Sequence, residues 1–267
     1  MKWSTFSSVL AAVASISPAV ATCPVADVSI VRHEGESIGS VHRVDNFDLY
    51  TSDPDECGLE QKYDTAVLYL TDVFGIQLPQ NRLLADSFAR AGYLTVAPDL
   101  FDGKPAPEDL NTPGFNLTEF LAKYGPQHAD PIIEKTIKYL REELGVEKIA
   151  TTGYCYGGKY ALRFLAPGRG ADLAFAAHPS LLEDVEIANV TGPVSIAAAE
   201  TDSILPPARR AEIEALLKKT KKTYQVSLYS GTQHGFGVRA NVSDPVQKFG
   251  KETAFLQAVR WFEAWSN

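Results

Sequence analysis

Apolar runs recur along the chain, separated by amphipathic stretches. Ala66-Val67-Leu68-Tyr69-Leu70 is apolar throughout and gives way to Thr71-Asp72, the pattern of a strand buried on both faces. Residues 93–97 repeat the pattern and Pro98 halts it, and 148–152, 173–177, 194–198 and 225–229 read as further strands. A shorter alternating stretch near 44–50 predicts one more, followed by the turn-rich TSDPDECG. Between them, helical periodicity predicts helices over 79–91, 130–144, 157–165, 206–219 and 246–265, with Gly92 and Gly145 just past the ends of the first two. The Gly/Pro-rich segment 102–127 breaks this rhythm and is expected to pass over the functional end of the molecule. Strands alternating with helices imply an α/β class with a mostly parallel central sheet flanked by helices on both faces.

Composition narrows the picture. With 267 residues, 45% hydrophobic and 22% charged, the chain can bury a full core, and a single domain over 22–267 is expected. A net charge of −8 repels phosphate backbones and anionic lipid surfaces, so neither nucleic acid nor membrane is an expected partner. Lys2, an apolar run over 6–20 and the small-x-small triplet Ala19-Val20-Ala21 have the order of a secretory signal peptide, with cleavage expected after about Ala21 and secretion as the outcome. Sequons at Asn116, Asn189 and Asn241 fit the same route. In an oxidising compartment three cysteines leave one unpaired: Cys23 and Cys57, near the mature N-terminus, are the expected disulfide, and Cys155 remains free.

That free cysteine sits in ATTGYCYGGKYALRF, after a predicted strand and before a predicted helix. Glycines at 153 and 157 suit a sharp, strained turn that exposes a nucleophile, and the positive end of the following helix favours thiolate. A thiolate nucleophile needs an imidazole, and the imidazole an orienting carboxylate. Asp202 follows the strand 194–198, with Glu200 as a rival acid, and His234 lies beyond the strand 225–229. The order nucleophile, acid, base is that of the α/β-hydrolase fold. His33, His42 and His128 lie in the wrong places in the chain, and His178 ends a strand but precedes Asp202.

The motifs GYCYGG, TDVFG, PDLF, AHPS, ETD and HGF together resemble the dienelactone hydrolase family, especially its fungal branch, from about Cys23 to the C-terminus. The resemblance implies hydrolysis of small esters or lactones with Cys155 as nucleophile, His234 as base and Asp202 as acid, and no metal or organic cofactor. It implies oxyanion donors at the backbone N–H groups of Tyr156 and Val73. Bacterial members carry a glutamate at the place of Asp72, where it contacts the resting thiol, and clamp a substrate carboxylate with two arginines. Here Gly103 occupies the place of the first, and Arg239 lies one residue beyond the place of the second. Tyr154, Tyr156, Phe74 and Phe236 are expected to frame an apolar pocket. The competing expectation is a non-catalytic extracellular binding module on the same fold, which has no need of all three catalytic groups.

Overall fold

A computed structural model describes residues 30–54 and 64–266. The strands are β1 (Ser40–Val44), β2 (Phe47–Ser52), β3 (Thr65–Leu70), β4 (Thr95–Pro98), β5 (Lys148–Tyr154), β6 (Leu173–Ala177), β7 (Val194–Thr201) and β8 (Tyr224–Gln233). They form one eight-stranded sheet in the order β1-β2-β4-β3-β5-β6-β7-β8. β1 and β2 pair antiparallel, as do β2 and β4, and every other pairing is parallel. Every residue of β3 and β6 is buried, which is why these strands read as continuous apolar runs rather than alternating ones.

The helices are α1 (Pro79–Arg90), α2 (Leu117–Lys123), α3 (Pro126–Lys138), α4 (Tyr156–Arg163), α5 (Asp184–Ala188), α6 (Pro207–Thr220), α7 (Phe236–Arg239) and α8 (Pro245–Trp265). Proline at the first position starts α1, α6 and α8, where its missing N–H costs nothing. Phe88 of α1 packs its ring 4.7 Å from Phe255 and 5.9 Å from Phe262 of α8, closing one face of the sheet. Burying each such ring contributes about 1.5–3 kcal/mol. Among the described residues no helix is long and apolar enough to cross a membrane.

Three expectations need correction. The strand expected near 44–50 is a hairpin, because Val44 pairs with Phe47 across a two-residue turn in which Asp45 takes φ 51°. Segment 102–127 is not a bare excursion: Asn116 accepts hydrogen bonds from the N–H groups of Thr118 and Glu119 and so caps α2. Phe120 and Tyr124 then pack 5.3 Å from Phe101. The helix expected from 130 begins at Pro126, carries Pro131 inside it and continues into a π-helical turn, Tyr139–Glu143. The short helices α5 and α7 have too few residues for periodicity to reveal them.

Candidate active site

Parallel pairing brings the carboxyl ends of β3, β5, β6, β7 and β8 to one edge of the sheet, where a doubly covered α/β sheet places its functional residues. Cys155 follows β5 there with φ 50° and ψ −112°, a conformation that costs a side-chain-bearing residue about 1–3 kcal/mol. Its flanks leave no room for anything but glycine. A Cβ on Gly153 would lie 2.2 Å from the carbonyl oxygen of Gly157, and one on Gly157 would lie 2.0 Å from that of Leu70. The turn is further fixed by the Cys155 N–H donating to Ala177 O at 3.2 Å and by Ser180 N–H donating to Cys155 O at 2.9 Å. The thiol is unpaired and partly accessible.

Asp202 and His234 meet at the ends of β7 and β8. His234 Nδ1 lies 2.8 Å from Asp202 Oδ2, while Asp202 Oδ1 accepts from the N–H groups of Ile204 and Leu205 at 2.9 Å each. Burial works against both charged forms, but the mutual hydrogen bond reverses it. Asp202 is held below the ordinary carboxylate range, and His234 is pushed up to about 9 by the Asp202 carboxylate and the nearby Cys155 sulfur. An irregularity at Ala199 and Thr201 of β7 re-aims the end of that strand. It leaves Glu200 exposed, accepting from Gly231 N–H at 2.8 Å and Ser230 Oγ at 3.2 Å, so the rival acid holds β8 rather than an imidazole.

Ser180, which no spacing argument singles out, completes the line. Its Oγ is 3.1 Å from Cys155 Sγ and 3.4 Å from His234 Nε2. It reaches this place from the loop after β6, as the serine of the AHPS motif, and the adjacency of β5 and β6 in the sheet brings it to Cys155. His178, also after β6, lies edge-on to His234 with ring centroids 5.0 Å apart. Burial and the charge of His234 keep it well below the ordinary histidine range, and neither ring nitrogen has a hydrogen-bond partner.

The expected pocket residues separate into groups. Asp72 is buried, and Oδ1 accepts from Asn81 Nδ2 at 2.8 Å and Phe74 N–H at 3.1 Å, while Oδ2 faces Arg239 Nε at 3.5 Å. Its partners are therefore Asn81 and Arg239, and the thiol's hydrogen bond goes to Ser180. Burial raises the Asp72 carboxyl, with Asn81 and Arg239 opposing the shift. Arg239 stacks over the Phe74 ring at 4.2 Å. Val73 N–H and the Tyr156 N–H that opens α4 lie on adjoining turns, which the Gly157 N–H joins by donating to Thr71 O at 3.0 Å. Phe74 and Tyr156 line clefts, whereas Tyr154 stacks on Tyr69 at 5.0 Å within the core and the buried Phe236 packs at a tilt on the partly buried Tyr229, ring centroids 5.4 Å apart. Asn116, Asn189 and Asn241 are exposed, and Cys23, Cys57 and residues 1–21 lie outside the described residues. Among the described residues no three His, Cys, Asp or Glu side chains converge as a metal site.

Chemically, the line of Cys155, Ser180, His234 and Asp202 can move a proton from sulfur to imidazole and hold it there. Hydrolase pyvD of Aspergillus violaceofuscus is 40% identical over 230 residues, covering 86% of this chain and 91% of the relative. A carboxymethylenebutenolidase homolog of Xenopus tropicalis is 30% identical over 234 residues, covering 86% and 92%. The fold is shared with the solved dienelactone hydrolase of Anabaena variabilis at a TM-score of 0.59 and 13% identity, over 85% of this chain and 99% of that one. The model of the dienelactone hydrolase family matches residues 50–266, and the chain therefore belongs to that family of hydrolases, which act on ester and lactone bonds.

Proposed function

We propose that this chain is a secreted hydrolase of small carboxylic esters or lactones that works through a Cys155-His234-Asp202 triad and a thioester acyl-enzyme. The observation that carries the reading is the continuous line from Asp202 through His234 and Ser180 to Cys155, with contacts of 2.8, 3.4 and 3.1 Å. The thiol proton passes to His234 Nε2, and the sulfur attacks the acyl carbon. The carbonyl electrons move onto oxygen, where the N–H groups of Tyr156 and Val73 are the proposed donors. Tyr156 fits this role because the first N–H groups of a helix have no helical acceptor. Collapse of the tetrahedral intermediate breaks the acyl C–O bond, and the imidazolium gives its proton to the departing alkoxide. Water, deprotonated by His234, then attacks the thioester and returns the proton to sulfur, which leaves a carboxylic acid.

The test is Cys155→Ala, which is expected to abolish turnover of a panel of lactones and short aryl esters. Acid quenching of the unaltered chain during turnover should trap an acyl adduct on Cys155 by mass spectrometry. Undiminished hydrolysis by Cys155→Ala would refute the mechanism. Secretion rests on the leader-like residues 1–21 and is supported by the exposure of all three sequon asparagines. N-terminal sequencing of protein from culture medium should begin near residue 22, and non-reducing peptide maps should contain a Cys23–Cys57 bridge.

A further inference from the structure

A cleft of about 330 Å³ opens between the loop after β3, the start of α1, the loop carrying α7 and the side of α8. Cys155, Ser180 and His234 do not line it. Its floor is apolar, formed by Phe74, Leu78 and Val238, all of them buried. Polar atoms without partners converge above that floor. Lys251, on α8, is only 3% exposed and has neither an ion pair nor a hydrogen bond among the described residues, although it lines the cleft. Gln80 Oε1 and His33 Nδ1 line it too and are buried without a hydrogen-bond partner. His33 spends its other nitrogen on Glu252 at 2.8 Å. Arg239 adds a second cation at the wall, partly engaged by Asp72. Glu34 and Glu108 also border the cleft but are exposed, where water screens them.

The charge of Glu252, partly exposed and already engaged by His33, attracts the Lys251 ammonium without outweighing its desolvation, and an ammonium so placed gains when an anion arrives or the proton leaves. Burial brings Lys251 down to about 8, so at neutral pH most of it still carries the charge. A buried amide oxygen without a donor asks for a hydroxyl or N–H. The ligand that meets both demands on an apolar floor carries a carboxylate, a hydroxyl and a short hydrocarbon link. Water opening a lactone breaks the acyl C–O bond and leaves such a molecule, a hydroxycarboxylate, plus a proton.

We propose that this cleft is a second binding site, separate from the thiol, for a small hydroxycarboxylate, with Lys251 binding the carboxylate and Gln80 Oε1 accepting from the hydroxyl. The ligand class rests on the ester and lactone chemistry read above, while the anion site itself rests on the cleft alone. The experiment is calorimetric titration of the full-length Cys155→Ala chain near pH 6.5 with 4-hydroxybutyrate, butyrate and γ-butyrolactone. Both acids are expected to bind, the hydroxy acid more tightly, and the neutral lactone at least tenfold more weakly. Lys251→Met, which matches the side chain in size and removes a buried charge, should weaken both acids at least tenfold without lowering the melting temperature. Lys251→Arg should restore most of the loss. Gln80→Leu should bring 4-hydroxybutyrate down to the affinity of butyrate and leave butyrate unchanged. Acid binding that survives Lys251→Met, or that disappears when the Cys155 thiol of the unaltered chain is alkylated, would overturn the proposal. Because turnover is not the readout, activity in Cys155→Ala would remove the proposed nucleophile without touching this result.

Discussion

His178 and His234 lie at neighbouring loops with ring centroids 5.0 Å apart, yet the structure drives them in opposite directions. Both are withdrawn from water, and burial alone lowers the proton affinity of each. On His178 burial and the charges of His234 and Arg239 act in the same direction, and it is neutral with two ring nitrogens that lack hydrogen-bond partners. His234 has Asp202 at 2.8 Å, and this one contact outweighs desolvation. What separates the two histidines is therefore the carboxylate partner of His234 rather than burial. The strand order alone does not decide which histidine receives that partner, because β7 pairs with both β6 and β8; the path of the loop after β8 puts the His234 ring nitrogen on Asp202.

The largest break in this comparison should come from removing one ring at a time. His234→Ala is expected to lower kcat/KM by about 10³–10⁴-fold, the usual worth of a positioned general base coupled to a nucleophile. His178→Leu should cost less than tenfold, because its nitrogens hold nothing in place. Equal losses would mean that His178 takes part in proton transfer. Asp202→Asn is expected to cost nearly as much as His234→Ala, up to about 10⁴-fold in kcat, since the amide loses the charge and can hold the imidazole in the wrong tautomer. Its sharper readout is an NMR titration, in which His234 should drop from about 9 toward the ordinary histidine range.

The two rings also carry opposite pH signatures for stability. His234 is raised above its unfolded value near 6.5, so its contribution is fully present below that pH and is lost as pH rises through about 9. That contribution is at most about 3–4 kcal/mol, from 1.36 kcal/mol per unit. His178 is lowered, so the unfolded chain takes up a proton that the folded chain refuses. Stability then falls as pH drops below about 6.5, by up to about 1.4 kcal/mol per unit. Urea unfolding across pH should show His234→Gln flattening the alkaline limb and His178→Leu flattening the acid limb. The same limb flattening in both variants would contradict the comparison.

Much of this was legible before any coordinates. Gly153 and Gly157 announce the elbow because their packing excludes a side chain, and the chain order of Cys155, Asp202 and His234 follows from the sheet topology that the apolar runs predict. The resemblance favours Asp202 over Glu200, but spacing alone does not separate them, since the difference lies in a local irregularity in β7 that has no compositional mark. Nor was the fate of the aromatics. Tyr154 precedes and Tyr156 follows the nucleophile, yet one faces the core against Tyr69 and the other opens α4. The pairing of Asp72 with Arg239 joins residues far apart in sequence and depends on side-chain placement that spacing does not encode.

The smallest expected effect tests Ser180. Its hydroxyl lies between sulfur and imidazole, so in the resting state the thiol proton has a route to His234 Nε2 through Ser180 Oγ. A neutral hydrogen bond of this kind contributes about 1 kcal/mol net, and the sulfur, on a single rotatable bond, can turn toward the imidazole once the hydroxyl is gone. Ser180→Ala should therefore lower kcat about fivefold and leave KM unchanged, and it should slow alkylation of Cys155 by iodoacetamide to a similar degree. Ser180→Thr, which restores the hydroxyl, should recover most of both rates. Were Ser180 merely structural, by supporting the Cys155 carbonyl through its N–H, alanine would retain that bond and neither rate would move. A loss as large as that of His234→Ala would instead make the hydroxyl an obligatory carrier of the proton.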